Sequence, residues 1–93
     1  MIKAAVIGLG SIAKRHRSNL KKIFPGVEII AMSASGRIPK EVICNSDSIV
    51  SNIQSIIDNN IDMAIIASPA SLHSTHAIPL IEAGIPASIK GIA

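Results

Sequence analysis

The chain has 93 residues and a mass of 9.7 kDa, which is enough for one small domain. Hydrophobic residues make up 48% of it and charged residues only 16%, a balance that excludes an intrinsically disordered protein. The chain has a single aromatic residue and its net charge is +3. The scarcity of aromatic rings excludes platforms that stack single-stranded nucleic acid, and no apolar run is long enough to span a membrane. We therefore expect a cytoplasmic protein that binds neither nucleic acid nor membrane.

Apolar runs of strand length alternate with segments of helical periodicity along the chain. We predict strands over 2–7, 27–32, 62–67 and 87–89, and helices over 11–23, capped by Ser11, and over 71–83, ended by Gly84. This alternation predicts an α/β fold, a Rossmann-like doubly wound parallel sheet in three layers.

The segment after the second predicted strand is too short for a complete crossover helix. Residues 41–44 are predicted either as a very short edge strand or as an irregular connection. A helix capped by Ser46 or Asp47 is then predicted up to residues 59–60, because its apolar positions follow a period of 3.6 residues.

A glycine-rich motif follows the first predicted strand and opens the first predicted helix. Residues 8–13 read Gly-Leu-Gly-Ser-Ile-Ala and fit the pattern G-x-G-x-x-G/A. Gly8 permits a tight turn, Gly10 leaves space for a pyrophosphate, and the small Ala13 lets helix and strand approach closely. Ser11 and Ile12 begin the helix, whose N-terminus attracts phosphate. The motif predicts dinucleotide binding; the alternative is a turn that uses glycine for conformational reasons alone.

The second predicted strand ends in a polar segment without a carboxylate. NAD-binding domains usually carry an acidic residue here for the ribose hydroxyls. This chain instead has Ser33, Ser35 and Arg37, which can hydrogen-bond to and pair with a 2′-phosphate. The segment favours NADP over NAD, and the alternative is a polar loop whose arginine points into water.

Two histidines lie three residues apart near the end of the strand predicted at 62–67. His73 and His76 could share one helix face, but too few further ligands are on offer, so we expect no metal site. The nearness of the two histidines to Ser68, Pro69 and Ala70, at the carboxyl end of that strand, matters more, because open α/β sheets bind their ligands outside those strand ends.

The residues discussed so far resemble the nucleotide-binding half of the glucose-fructose oxidoreductase / inositol dehydrogenase / MocA family. The resemblance rests on residues 5–13 with His16, on 62–69, and on the run from His73 to Gly84. It implies that Ser68, Pro69 and Ala70 at the strand end, and Leu72 and His73 at the helix start, border the nicotinamide ribose and the pyrophosphate. Lys90 lies at or next to the family's lysine and is a weak catalytic candidate, since the flanking Glu and Pro of the family are missing.

The resemblance implies an NAD(P)-binding domain over residues 1–93, from an oxidoreductase that transfers a hydride to or from a sugar-like alcohol or carbonyl. The family's C-terminal substrate domain is absent from these 93 residues, so we expect a truncated form that lacks catalysis by itself and takes its sugar-like substrate only in the complete enzyme. Loss of a large domain exposes apolar surface, which predicts a homo-oligomer. The alternative function is a non-catalytic module that binds a nucleotide or CoA or senses redox state.

Overall fold

A five-stranded parallel sheet forms the centre of the molecule. The structure, a computed structural model, describes residues 2–89. Its strands are β1 Lys3–Ile7, β2 Glu28–Met32, β3 Ser48–Val50, β4 Met63–Ile66 and β5 Ala87–Ile89. They lie side by side in the order β3-β2-β1-β4-β5, so the chain winds outward from β1 to one edge and then returns to wind toward the other. This order confirms the predicted Rossmann-like doubly wound sheet.

Three α-helices and one 3₁₀ turn connect the strands. The helices are α1 (Ser11–Ile23), α2 (Ile53–Asp58) and α3 (His73–Glu82), and the 3₁₀ turn Ala70–Leu72 leads directly into α3. The structure confirms the helices predicted over 11–23 and 71–83. Gly84, with φ +81°, follows the end of α3 as predicted. Ser11 was wrongly predicted as a cap: the capping position of α1 is Gly10, which has no side chain to accept a hydrogen bond.

The hydrophobic core lies on both faces of the sheet. Successive residues of β1 point to opposite faces, so Ala4 and Val6 belong to one buried cluster and Ala5 and Ile7 to the other. On one face the strands pack against Ala13 and Leu20 of α1, and on the other against Ile56 of α2 and Ala77 and Leu80 of α3. The sheet is therefore sandwiched between helical layers, as the predicted three-layer arrangement requires.

The region between β2 and α2 differs from the prediction in two ways. Residues 41–44 form no strand, which leaves the irregular connection as the correct alternative. The helix predicted from Ser46 or Asp47 begins only at Ile53, capped by the Asn52 side chain, which accepts from the Ser55 N–H at 2.8 Å.

The physical reason for this difference lies one residue before β3. The Asp47 N–H donates to the Ile29 carbonyl at 2.7 Å, and an Asp47 carboxylate oxygen accepts from the Ile29 N–H at 2.8 Å. Asp47 is thereby held beside β2, and the next three residues pair with β2 as the edge strand β3. The segment whose apolar periodicity predicted a single helix is therefore an edge strand followed by a shorter helix.

Within residues 2–89, none of the helices is both long and apolar enough to cross a membrane.

Candidate nucleotide-binding site

A cavity of about 630 Å³ lies at the carboxyl edge of the sheet. The residues around it follow the ends of three adjacent strands, β2, β1 and β4, so the sheet order brings distant segments together. Crevices of this kind, outside the carboxyl ends of parallel strands, are where open α/β sheets bind their ligands. The lining residues are Gly8, Leu9, Gly10, Ser11, Ile12, Ala34, Ala67, Ser68, Pro69 and Ala70.

Gly8 is required by the backbone of the turn after β1. Its φ of +112° is a conformation that side chains disfavour, and a Cβ at this position would lie 2.7 Å from the Ala67 carbonyl oxygen. The Gly8 N–H donates to the Met32 carbonyl at 2.7 Å, which joins the turn to the end of β2. Both its conformation and its closeness to the chain after β4 therefore exclude a larger residue.

Gly10 faces open space rather than protein. Its φ of −74° suits any residue, and a Cβ built on it would meet no heavy atom within 4 Å. Gly10 also begins α1, since its carbonyl accepts the Lys14 N–H at 3.0 Å. The packing of the fold therefore does not require glycine at this position, and the missing side chain leaves the cavity open.

The N-terminus of α1 opens toward the cavity with free amide groups. The first N–H groups of a helix have no partner within the helix, and no side chain caps this end of α1. The first turn of α1 contains no acidic residue, so nothing there neutralises the positive end of the helix dipole. Ala13, fully buried in the cluster that contains Val6, lets α1 pack close to the sheet. Together these features make an anion-binding end suited to a pyrophosphate.

The chain after β2 makes a tight turn beside the cavity. The Gly36 N–H donates to the Ser33 carbonyl at 3.1 Å, and the hydroxyls of Ser33 and Ser35 lie 3.3 Å apart. Gly36 has a φ of +81°, and a Cβ there would lie 2.6 Å from the Ser51 carbonyl oxygen, so the turn requires glycine. Two hydroxyls are thus held close together where a dinucleotide fold places its ribose site.

Arg37 follows this turn with its side chain 62% exposed. Its guanidinium lies 4.0 Å from the Glu41 carboxylate, a solvent-exposed pair that holds the arginine only weakly. The Arg37 side chain is thus largely open to solvent, and it is not among the residues that line the cavity.

The chain after β4 is held by the two histidines of α3. The His73 ring nitrogen Nε2 lies 2.8 Å from the Ser68 carbonyl oxygen, and His76 Nδ1 lies 2.9 Å from the Ser68 hydroxyl. Burial lowers the pKa of His76 below its usual value, a hydrogen bond to the Ala34 backbone raises it, and the charge of His73 lowers it. The two rings thus both contact Ser68. In residues 2–89 no group of three or more His, Cys, Asp or Glu side chains is placed to hold a metal ion.

Most of the residues proposed from the sequence come together around this cavity. Six of them line it: Gly8, Gly10, Ser11, Ile12, Ser68 and Pro69. Ala13 lies beneath the turn in the core, and His73 reaches the cavity wall through Ser68. Ser33, Ser35 and Arg37 lie on or after the turn whose Ala34 lines the cavity. Lys90, the weak catalytic candidate, lies outside the described residues.

Sequence reasoning missed three lining residues. Leu9, Ala34 and Ala67 are apolar neighbours of predicted residues, and their positions between those residues were the available signal. Ala70 belongs to the strand-end segment that the family resemblance implied. The nearness of His76 to this segment was predicted, but its contact with the Ser68 hydroxyl depends on how α3 crosses the sheet.

The sheet order, the glycine turn and the cavity over it define a Rossmann-type dinucleotide-binding domain. The sequence profile of the GFO_IDH_MocA group, described as an oxidoreductase family with an NAD-binding Rossmann fold, matches residues 2–89. The chain belongs to this family, and it is an NAD-binding Rossmann domain of the oxidoreductase type. A search of curated protein sequences finds no match.

Solved structures share this fold at low sequence identity. The WlbA dehydrogenase from Bordetella pertussis, in complex with NADH and UDP-GlcNAcA, is 21% identical with a TM-score of 0.74 over 95% of this chain and 28% of its own. Prephenate dehydrogenase from A. aeolicus, in complex with hydroxyphenyl propionate and NAD⁺, is 15% identical with a TM-score of 0.79 over 98% of this chain and 34% of its own.

A repressor has the same fold as well. RSP, a Rex-family repressor, is 19% identical with a TM-score of 0.74 over 100% of this chain and 46% of its own, and another of its structures holds beta-NADH. The chain thus spans less than half the length of each of these three proteins.

Proposed function

We propose that this chain binds NADP(H) in the cavity over the glycine turn. It would serve as the cofactor domain of an oxidoreductase that transfers a hydride to or from a sugar-like alcohol or carbonyl. The observation that carries the proposal is the cavity itself, in which Gly10 leaves open space directly before the free amides of α1. A nicotinamide dinucleotide supplies the hydride chemistry when bound. The residues of this chain hold and orient it.

The site divides into parts that suit different parts of the dinucleotide. The amides at the start of α1 suit the pyrophosphate, and the turn with Ser33 and Ser35 suits the adenosine ribose at the end of β2. Ser68, Pro69 and His73, beyond β4 on the other side of the turn, suit the nicotinamide ribose. The NAD-binding family to which the chain belongs supports a dinucleotide in this cavity, and the dehydrogenases with NADH or NAD⁺ bound share the fold.

The preference for a 2′-phosphate rests on charge at the end of β2. Residues 33–37 carry two hydroxyls and an arginine but no carboxylate, and the carboxylate of Glu41 lies 4.0 Å from the guanidinium. A carboxylate in this turn would accept the ribose hydroxyls of NAD and repel a phosphate, whereas an arginine attracts the phosphate. This arrangement favours NADP over NAD.

Arg37→Ala tests this preference directly. We expect it to weaken NADPH binding about tenfold, since a charge-assisted hydrogen bond is lost, and to leave NADH binding within about twofold. Lys22→Ala is the matched control, because it removes one exposed positive charge at the far end of α1. Calorimetric titration of the three proteins measures both affinities. Tighter binding of NADH by the original chain, with no effect of Arg37→Ala, would show that the cofactor is NAD.

A module that senses redox state without catalysis is the second candidate. It is favoured by the fold shared with a Rex-family repressor whose structure holds beta-NADH. A sensor must distinguish the reduced from the oxidised cofactor, whereas an oxidoreductase domain binds both to complete its cycle. Comparable affinities for the reduced and oxidised forms therefore support the oxidoreductase, and a large ratio between them supports the sensor.

A further inference from the structure

One residue of the cavity wall is hydrogen-bonded to α3 through both its side chain and its backbone. Ser68 follows β4, and it lines the cavity although only 3% of it is exposed. The Nδ1 atom of His76 lies 2.9 Å from the Ser68 hydroxyl, and the Nε2 atom of His73 lies 2.8 Å from the Ser68 carbonyl oxygen. Neither histidine is among the residues that line the cavity. Two side chains of one helix therefore contact the same wall residue from outside the cavity.

Ser68 lies just beyond the last ladder pair of the sheet at this point. The ladder between β1 and β4 ends where Ile7 lies beside Ile66, and the Ala67 N–H then donates to the Ile7 carbonyl at 2.8 Å. The Ala67 carbonyl oxygen is 2.7 Å from where a Cβ of Gly8 would lie, so this segment borders the glycine turn closely. The contacts from α3 therefore hold the wall where the sheet ladder ends.

The hydroxyl of Ser68 and the ring of His76 satisfy each other in a buried environment. His76 is 5% exposed, and a polar group buried to this extent costs free energy unless it is hydrogen-bonded. Removal of either partner leaves the other buried without this bond. The pair therefore fixes the direction of the Ser68 side chain, which is engaged with α3.

The contact with His73 fixes the backbone of the same residue. A carbonyl oxygen only accepts a hydrogen bond, so the Nε2 atom of His73 is the donor. The Ser68 carbonyl, which carries partial negative charge, is thereby paired with a donor from this chain. Such pairing matters in the wall of a site that we propose for an anionic dinucleotide.

We propose that His73 and His76 are positioning residues that fix Ser68 and thereby preorganise the cavity wall over 67–70 for the dinucleotide. The proposal rests on the proposed function. A wall that is already ordered costs no ordering free energy when the ligand binds, so the two contacts raise affinity. The proposal requires no contact between His76 and the cofactor, since His76 acts through the Ser68 hydroxyl.

Variants matched to each ring nitrogen test the two contacts. The side-chain amide of asparagine reaches the position of the histidine Nδ1, and that of glutamine reaches the position of Nε2. His76→Asn and His73→Gln should therefore keep the contacts, whereas His76→Leu and His73→Leu remove them. In calorimetric titration we expect each leucine variant to bind NADPH about fivefold more weakly, and each amide variant to bind within about twofold of the original.

Ser68→Ala separates the contact of the side chain from that of the backbone. It removes the hydroxyl and keeps the carbonyl, so His76→Leu should have no further effect on NADPH affinity in this background. His73→Leu should still weaken binding there, by about the same fivefold factor. Thr75→Ala, at an exposed position between the two histidines, is the control and should bind as the original does.

Hydrogen exchange in the unliganded protein gives a readout that needs no cofactor. Two hydrogen-bonded amides flank Ser68: that of Ala67, and that of Leu72, which donates to the Pro69 carbonyl at 2.9 Å. Each leucine variant should speed exchange at these amides by a larger factor than at the amides of β2, because the loosening is local. A general loss of stability would speed exchange at all of them alike.

The outcomes distinguish this proposal from the proposed function. Binding of NADPH by the original chain, with unchanged affinity in both leucine variants, would overturn the role of the histidines alone. Equal weakening by His76→Leu with and without the Ser68 hydroxyl would overturn the route through Ser68. Should His76→Leu fail to fold, His76→Gln takes its place, since its amide is displaced from the Nδ1 position.

Failure of the original chain to bind NADPH or NADH would overturn the proposed function. The exchange rates at Ala67 and Leu72 would then decide separately whether the two histidines position this wall. Rates unchanged in both leucine variants would overturn that role as well.

Discussion

At the scale of single residues, the two glycines of the turn have different reasons to be glycine. Gly8 combines a φ of +112° with a carbonyl oxygen 2.7 Å from where its Cβ would lie, so its requirement belongs to the fold. Gly10 has an ordinary φ and open space around it, so the fold does not require glycine there, and we propose the ligand as the reason for it. The G-x-G-x-x-G/A pattern predicted Gly8 for a tight turn, which the structure confirms, and Gly10 for the approach of a pyrophosphate, which stays a prediction.

Alanine at each glycine should separate these reasons. We expect Gly8→Ala to lower the free energy of unfolding by about 1–3 kcal/mol, from backbone strain and overpacking. We expect Gly10→Ala to change it by less than about 0.5 kcal/mol, as at an open surface position, while NADPH affinity falls at least about tenfold. Urea denaturation and calorimetry measure the two effects. Normal NADPH binding by Gly10→Ala would show that no pyrophosphate approaches this turn.

His76 also makes the stability of the chain depend on pH. Its pKa in the folded protein is lowered by burial, while in the unfolded chain it is about 6.5. The unfolded state therefore binds more protons as the pH falls below about 6.5, and the free energy of unfolding decreases until the folded-state pKa is passed. Urea denaturation between pH 5 and 8 should show this decrease, and His76→Gln should reduce it. An equal decrease in both proteins would assign it to other groups.

At the scale of elements, β1, α1, β2, β4 and α3 could be predicted because each has one clear hydrophobic pattern. The first three form a compact unit. Its strands β1 and β2 are buried on both faces, and burial on both faces requires uninterrupted apolar runs in the sequence. β3 could not be predicted, since its three residues share a helical periodicity with α2 and their pairing depends on Asp47, which contacts β2 from outside the strand.

Asp47 anchors the edge strand through one carboxylate oxygen. This oxygen accepts from the Ile29 N–H and from Lys21 Nζ, both at 2.8 Å. We expect Asp47→Ala to lower the free energy of unfolding by about 1 kcal/mol, mainly through the lost bond to the Ile29 N–H, because the ion pair is partly exposed and screened. Asp47→Asn keeps an acceptor and should lose less. Equal stability of both variants and the original would show that β3 is held by its own ladder.

The acid stability of the chain should follow the same contact. The hydrogen bonds from Lys21 and then from the Ile29 backbone lower the pKa of Asp47 below 3.8. A lowered carboxylate pKa stabilises the fold at pH values above 3.8, and that stabilisation is lost as the pH falls through the folded-state value. The stability difference between the original and Asp47→Ala should therefore shrink below about pH 4.

At the scale of the whole molecule, the sheet order carries the site. Because β1 is central and β2 and β4 flank it, residues from 8–12, 34 and 67–70 meet at one edge. The sequence predicted these strands and their polar ends, and the topology followed from the rules for parallel sheets. The contact of His76 with the Ser68 hydroxyl could not be predicted, because it depends on how α3 crosses the sheet. Self-association stays a prediction, and Ile78 and Ile81, 54% and 61% exposed, are apolar surface on α3.

Calorimetric titration of the chain with NADPH, NADH and CoA in parallel tests the central claim most directly. The proposed function predicts saturable binding of NADPH and no binding of CoA. It predicts weaker binding of NADH, because the turn after β2 offers two hydroxyls and an arginine to a 2′-phosphate. Selective binding of CoA, or binding of none of the three, would contradict it and would leave the glycine turn with a structural role alone.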